Sequence, residues 1–443
     1  MTRSRTAMFL PFDPCAPLLL GALVLFSSIL RAQSPAPAKP APPPPDPALT
    51  ALLDKVAASH GIAPGVKTNT FGLTGTYSVA VEGQAEPVGG AFGEKFVGTD
   101  LARHVSDLGH MGTMESGVFR DLVWAVDPHM GAKVHTGGNA AASRRYFAML
   151  RGDDPRTLYR EIKKTGSEKI GGREHTVLEM IPAEGKPDTW VVDADGNVVR
   201  IDTALPAPES ADAVFGLADL MPTTLTFANW QQVEGGRFPM LRTLRMGPAT
   251  VTTTISKAIV GVEIEAEKFE PPAAVAKVTS APSMPAFGPD GKPNYHVIDR
   301  QPQAVASIRI KVKASAISEQ LGILLPEVMT HLNVIGARMA GAPFSRYHAF
   351  TGDEIDLEAG IPVQSPITEK GRVKNSELPG GKTVTCWHVG SYDKLGAAHA
   401  GLQAHLADKK LKARGGVWEL YWTDPGMVPD PAKWKTQLFA PIE

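Results

Sequence analysis

Cysteine is all but missing from this sequence: 443 residues contain two, Cys15 and Cys386. Cys15 falls in the N-terminal stretch read below as an export signal, so the processed chain keeps Cys386 alone and has no internal disulfide. A single cysteine beside Trp387 reads as a small buried hydrophobe rather than a nucleophile. Nor is either charge in excess. Lys plus Arg total 45 against 46 for Asp plus Glu, a formal charge of −1, which offers no general attraction for nucleic acid or an anionic membrane. The chain also lacks a helix-turn-helix with a basic helix, a G-x-S-x-G elbow, an H-E-x-x-H motif and a glycine-rich phosphate loop. His348, His388, His399 and His405 are scattered, and the last two are six apart on one expected helix, the wrong spacing for a metal pair. No metal and no cofactor is expected. Long apolar runs are scarce too: Ala16 to Leu30 is broken by two serines and is short for a membrane span.

What is present begins with that run. Arg3 and Arg5 precede it and Ala32 and Ser34 follow, the order of a secretory signal cleaved near Ala32 or Gln33. Residues 1–32 are assigned to this signal, and the protein is expected to be exported to the periplasm or cell envelope. An uncleaved run serving as an N-terminal anchor is the alternative, and peripheral membrane association is a separate expectation. Cleavage removes three arginines and one aspartate and leaves 42 basic against 45 acidic side chains, a charge of −3. Ser34 to Pro47 then carries eight prolines in fourteen residues, so 33–47 reads as a semi-rigid spacer. Seven more prolines lie between Pro271 and Pro302. They mark 273–303 as a linker and divide the remainder into domains 48–272 and 304–443.

The first domain opens with a helix from Asp46-Pro47 through Ala58, with Leu49, Leu52, Leu53 and Val56 on one side. From Thr68 to about Phe269 the texture is short alternating segments with turns. Thr74 to Val81, Val118 to Val126 and Tyr159 to Gly166 read as strands. Lys169 to Glu179 reads as a hairpin about Gly171-Gly172, and Thr189 to Asp202 as another about Asp195-Gly196-Asn197. Trp230 to Pro239, Leu241 to Met246 and Thr250 to Val262 continue the pattern. Successive hairpins imply a large curved antiparallel sheet. In order and texture, IGGREHTVLEM, TWVVDADGNVVRID, ANWQQVEGGRFPMLRTLRM and VEIEAEKFEPP resemble the periplasmic lipoprotein-sorting and lipoprotein-carrier superfamily. That resemblance implies a half-open antiparallel barrel with helices on its concave side and a lipid or other hydrophobic ligand within.

In the second domain Ile308, Ile310 and Val312 alternate with Arg309, Lys311 and Lys313, giving a strand. Ser315 is placed to cap a helix carrying Ile317, Leu321, Leu324, Val328, Leu332 and Ile335, and Gly336 to stop it. Pro343 to Phe350 and Glu354 to Val363 are strands. Thr383 to Val389, a helix from Tyr392 to Leu406, Val417 to Trp422 and Thr436 to Phe439 repeat the sequence of elements. The fold class is α+β, with a duplicated β-α-β-β unit following the half-barrel. Within the late strand, alternation puts Val417, Glu419 and Tyr421 on one face and Trp418, Leu420 and Trp422 on the other. A carboxylate buried there costs several kcal/mol unless it is paired, hydrogen bonded or protonated, so burial of Glu419 would imply a purpose. His399 and His405 flank the second helix's apolar side and read as boundary residues.

PFSRYHAF, EIDLEAGIPV, ELPGGKTVTCWHVGSYDKLGAAHAGLQAHL, WELYWTDPG and DPAKWKTQLFAPI, at 343–442, resemble the GyrI-like small-molecule-binding family, also found as the effector-binding domain of bacterial transcription activators. The resemblance implies a pseudo-symmetric sheet whose two halves enclose a cavity. Glu419 would meet cationic or polar aromatic ligands, with Tyr421, Trp387, Tyr392, Trp418 and Trp422 as candidate walls and Tyr347 closing the opposite side. Aromatic faces hold planar cations, and a partly buried carboxylate selects for positive charge. The expected function is an exported two-domain binding protein rather than an enzyme. Two alternatives stand beside it. One is a hydrolase of strained small-ring compounds, with Glu419 as general base and Tyr421 as proton donor. The other is a non-catalytic envelope scaffold.

Overall fold

The computed structural model describes residues 46–63, 70–83, 86–109, 112–128, 131–206, 217, 220–279, 284–426 and 428–443. The export signal and nearly all of the first proline run lie outside them. The helix Pro47–Ser59 starts as its sequence requires, with the Asp46 carboxylate accepting from the amide of Ala48 at 2.9 Å and Pro47 in the first turn. Leu53 and Val56 are its buried positions.

Fourteen strands of the described residues form one antiparallel half-barrel sheet, and nearly every connection is a hairpin between neighbours. The Gly171-Gly172 hairpin forms as expected, with both residues at positive φ (57° and 79°), the conformation a two-residue turn demands. One expected single strand is instead a hairpin. Val118 to Val126 is split between Thr113–Phe119 and Leu122–Asp127 by a turn at Arg120 and Asp121. Arg120 takes φ 54° there, a turn that no glycine advertises. Trp230 to Pro239 reverses at Glu234 and Gly235, between Leu220–Val233 and Gly236–Met246. The helix Gly137–Arg151 packs against the inner face, where Phe71, Phe96, Phe147 and Phe238 join one core.

A separate eight-stranded sheet holds the C-terminal half. Its order along the sheet is His296–Arg300, Gly381–Val389, Lys435–Pro441, Val417–Tyr421, Phe344–Thr351, Glu354–Pro362, Gln303–Lys313 and Lys374–Leu378. The order is a palindrome. From either edge it runs through a flanking strand, then the first, third and second strands of one repeat, so the duplicated β-α-β-β unit is plain and the two halves meet where Val417–Tyr421 pairs with Phe344–Thr351. His296–Arg300 lies within the stretch that composition marks as linker. The helices Ile317–Ile335 and Leu395–Asp408 sit on the same face, burying Leu324, Val328 and Leu332 in one half and Leu395, Leu402 and Leu406 in the other. Gly336 ends the first at φ 63°, as its sequence suggests. Ser315 does not cap it: a short 3-10 turn, Ala314–Ala316, leads in, and no side chain caps the start. Among the described residues no helix is long and apolar enough to cross a membrane.

Candidate functional site

The strand Val417–Tyr421 alternates as its sequence dictates, and the seam between the two halves decides what each face meets. Register sets Ser345 opposite Glu419 and Tyr347 opposite Val417, all on the face beneath the helices. Glu419 is 1% exposed. A bare carboxylate there would be very costly, and four neighbours prevent that. Tyr421 Oη donates to its Oε2 at 2.6 Å, Tyr347 Oη at 3.2 Å and Ser345 Oγ at 3.4 Å. His399 Nε2, from the helix Leu395–Asp408, is hydrogen bonded to Oε1. Ser345 Oγ also lies 2.7 Å from Tyr421 Oη, linking the phenols into one network. The Tyr347 ring meets the His399 ring edge-on at 5.6 Å. Burial, followed by the charge of Glu419, holds both phenols well above the ordinary tyrosine range, so they remain hydrogen-bond donors.

Of the residues picked from sequence, Glu419, Tyr421 and Tyr347 converge. Tyr392 stands next to Tyr421, with ring centroids 5.4 Å apart, and its hydroxyl donates to the Thr423 carbonyl. The tryptophans lie elsewhere. Trp418 is on the opposite face, stacked on Phe439 at 5.2 Å, with the Arg300 guanidinium 5.7 Å from its ring. Trp422 and Trp387 pack together on that far face, at 5.7 Å, against Ala286 and Leu217. Ser345 and His399 are the members that sequence reasoning did not single out. Cys386 is buried, and burial pushes its thiol up to about 12, which leaves it inert. Asp193 is turn chemistry: it accepts from the amides of Asp195 and Asn197 and from the Asn197 side chain.

The half-barrel holds a second candidate. A cavity of about 280 Å³ lies between the helix Gly137–Arg151 and the concave face, with Val123, Phe147, Leu205, Leu225 and Val251 among its apolar walls. Polar side chains interrupt them, Glu94 the most deeply buried of the acids: 2% exposed, it accepts from Arg242 at 2.7 Å and meets His104 Nδ1 at 2.9 Å. Burial opposes ionisation of Glu94, but Arg242 and His104 outweigh it and hold its carboxyl at about 2. Among the described residues no cluster of His, Cys, Asp and Glu is arranged to hold a metal ion.

The family model of the GyrI-like small molecule binding domain matches residues 293–443, and the C-terminal part of this chain is a GyrI-like domain. The match starts before the strand His296–Arg300. No curated protein matches the chain. Among solved structures it is similar to the EcmrR C-terminal domain, at 21% identity over 34% of this chain and 97% of that one, with a TM-score of 0.31. The half-barrel resembles, at low identity, a LolA superfamily protein from Nitrosomonas europaea, with 11% identity over 50% of this chain and 97% of that one and a TM-score of 0.35. It likewise resembles a putative outer membrane lipoprotein-sorting protein domain from Vibrio parahaemolyticus, with 15% identity, coverages of 49% and 94%, and a TM-score of 0.34.

Proposed function

We propose that this chain is an exported protein with two binding domains. The C-terminal domain takes a small planar, cationic molecule against Glu419, and the half-barrel takes a hydrophobic one. The observation that carries the first part is a fully buried carboxylate, at the junction of two structural repeats, satisfied by side chains alone. Without a ligand Glu419 is stable because His399, Tyr421, Tyr347 and Ser345 share its charge. His399 is 21% exposed in its side chain and stands on a helix, so it is the partner a cation displaces most readily. Tyr347 and Tyr421 then stay as donors and ring walls. The family's description as small-molecule binding supports this reading, and the apolar cavity supports the second part. Export rests on Arg3, Arg5 and the run from Ala16 to Leu30.

Native mass spectrometry of protein purified from its own host tests the proposal. A retained organic molecule is expected; the absence of any retained ligand, together with no binding of an aromatic cation or a hydrophobic probe, would sink it. Cell fractionation should find the protein outside the cytoplasm. Hydrolysis of a strained-ring compound is a second reading, favoured by the 2.6 Å contact between Tyr421 and Glu419. Turnover that disappears in both Glu419→Gln and Tyr421→Phe would put that reading first.

A further inference from the structure

The half-barrel cavity has a donor-rich wall that a purely hydrophobic ligand does not use. Register sets Tyr77, Thr253 and Arg242 side by side on three adjoining strands. Tyr146, from the helix Gly137–Arg151, lines the same cavity. Arg242 gives Nη2 to Glu94, and its guanidinium carbon lies 5.9 Å from the centre of the Phe92 ring. A guanidinium has five N–H donors. Among the described residues the remaining donors of Arg242 and the hydroxyls of Tyr77 and Tyr146 have no protein hydrogen-bond partner. Donors enclosed in an apolar space need an acceptor there.

Both phenols stay protonated. Burial and then Asp127 push Tyr77 up to about 12, and burial and then Glu94 push Tyr146 higher. The charges around the cavity decide what kind of acceptor fits. Arg242 is already neutralised by Glu94. Asp127 and Lys133, which also line the cavity, are opposite in sign and each is engaged by a partner of its own. His135 is held neutral near pH 7, since burial and then Lys133 lower it to about 4, and His104 is bonded to Glu94 and Ser106. The wall therefore offers donors without net positive charge. An anionic head would face ionised Glu94, and a cationic one would face Arg242.

We propose that the cavity binds an uncharged amphiphile whose carbonyl oxygen, of an ester, amide or ketone, accepts from Tyr77, Tyr146 and Arg242 while its apolar body lies along Phe147, Leu225 and Val251. The proposal rests on the reading of this cavity as a hydrophobic-ligand site and adds the head group. Arg242 is a poor position to test, because removing it strands Glu94. Tyr77→Phe with Tyr146→Phe removes two donors and keeps both rings. Displacement of an environment-sensitive dye from the full chain, by methyl octanoate, octanoate and octane, gives the readout. The wild type should bind the ester best. The double variant should lose roughly tenfold in ester affinity and nothing for octane, the loss expected of two neutral hydrogen bonds. Equal affinity for ester and octane, an unchanged ester affinity in the double variant, or a preference for octanoate would overturn the proposal and leave the cavity a hydrophobic site. Binding of none of the three would remove the cavity reading and this proposal together.

Discussion

Replacing Glu419 by Gln and by Leu separates its charge from its shape. In Glu419→Gln the amide oxygen can still accept from Tyr421, Tyr347 and Ser345, and the amide nitrogen can face His399 in its other tautomer, with Nε2 as acceptor. Losing charge assistance costs about 1 kcal/mol for each strong contact, while removing a buried charge returns several. The terms nearly offset, so the thermal midpoint should stay within a few degrees of wild type, at about 2 to 4 °C per kcal/mol for a domain of this size. Glu419→Leu leaves Tyr347, Tyr421 and His399 without their acceptor, at about 1 to 3 kcal/mol each, so a loss of roughly 3 kcal/mol or more in urea unfolding is expected. Alkaline titration followed by phenolate absorbance adds an independent reading. In Glu419→Gln, Tyr347 and Tyr421 should ionise at lower pH than in the wild type, because the neighbouring charge is gone, yet still above an ordinary tyrosine because burial remains. If Leu is tolerated as well as Gln, or no tyrosine titration moves, the network described around Glu419 is not what holds it.

Trp418→Ala should cost about 3 to 5 kcal/mol in unfolding, since it empties the space beside Phe439, and in the fraction that remains folded the preference for cations should survive; loss of that preference would return Trp418 to the site. Acid should destabilise the half-barrel in two stages. His60 and His135 are held neutral, mainly by burial, at about 3 and about 4, so the unfolded chain takes up their protons first and stability falls as pH drops below about 6.5, by up to about 1.4 kcal/mol per pH unit for each group. Glu94, held at about 2, contributes stability that is present above about 4.5 and lost as pH falls towards 2; a pH-independent midpoint from 7 to 4 would contradict the histidine assignments, and no steepening of the loss between 4.5 and 2 would contradict that of Glu94. A fragment of residues 284–443 should be more stable than one of 304–443, by roughly 2 to 3 kcal/mol in urea, because the shorter one lacks the strand His296–Arg300 that pairs with Gly381–Val389 and the Ala286 contact over Trp387; equal midpoints would show that this strand adds nothing.

The period-two pattern of 417–422 separated Glu419 and Tyr421 from Trp418, Leu420 and Trp422, and the structure keeps that separation. What alternation could not say is which face the helices cover. Both faces are apolar enough for either, so aromatic content drew the three tryptophans into the candidate site although they pack on the far side of the sheet. Ser345 reaches Glu419 through a strand pairing between the two halves, a contact with no local signature. His399 depends on how the helix Leu395–Asp408 is rotated over the sheet, which its weakly amphipathic sequence does not fix. In the half-barrel the glycine-marked hairpins were legible and the Arg120 turn was not. The cavity wall is assembled by register across many strands, so Tyr77 and Arg242 become neighbours only once all pairings are set.

Isothermal titration with a planar aromatic cation and a neutral molecule of the same shape addresses the central claim, that Glu419 selects positive charge in a small-molecule site. The wild type should favour the cation by roughly 1 to 3 kcal/mol, the worth of a charge-assisted contact, and Glu419→Gln should bind both probes alike while remaining folded. Binding of neither probe by the wild type, or a cation preference that survives Glu419→Gln, would contradict it.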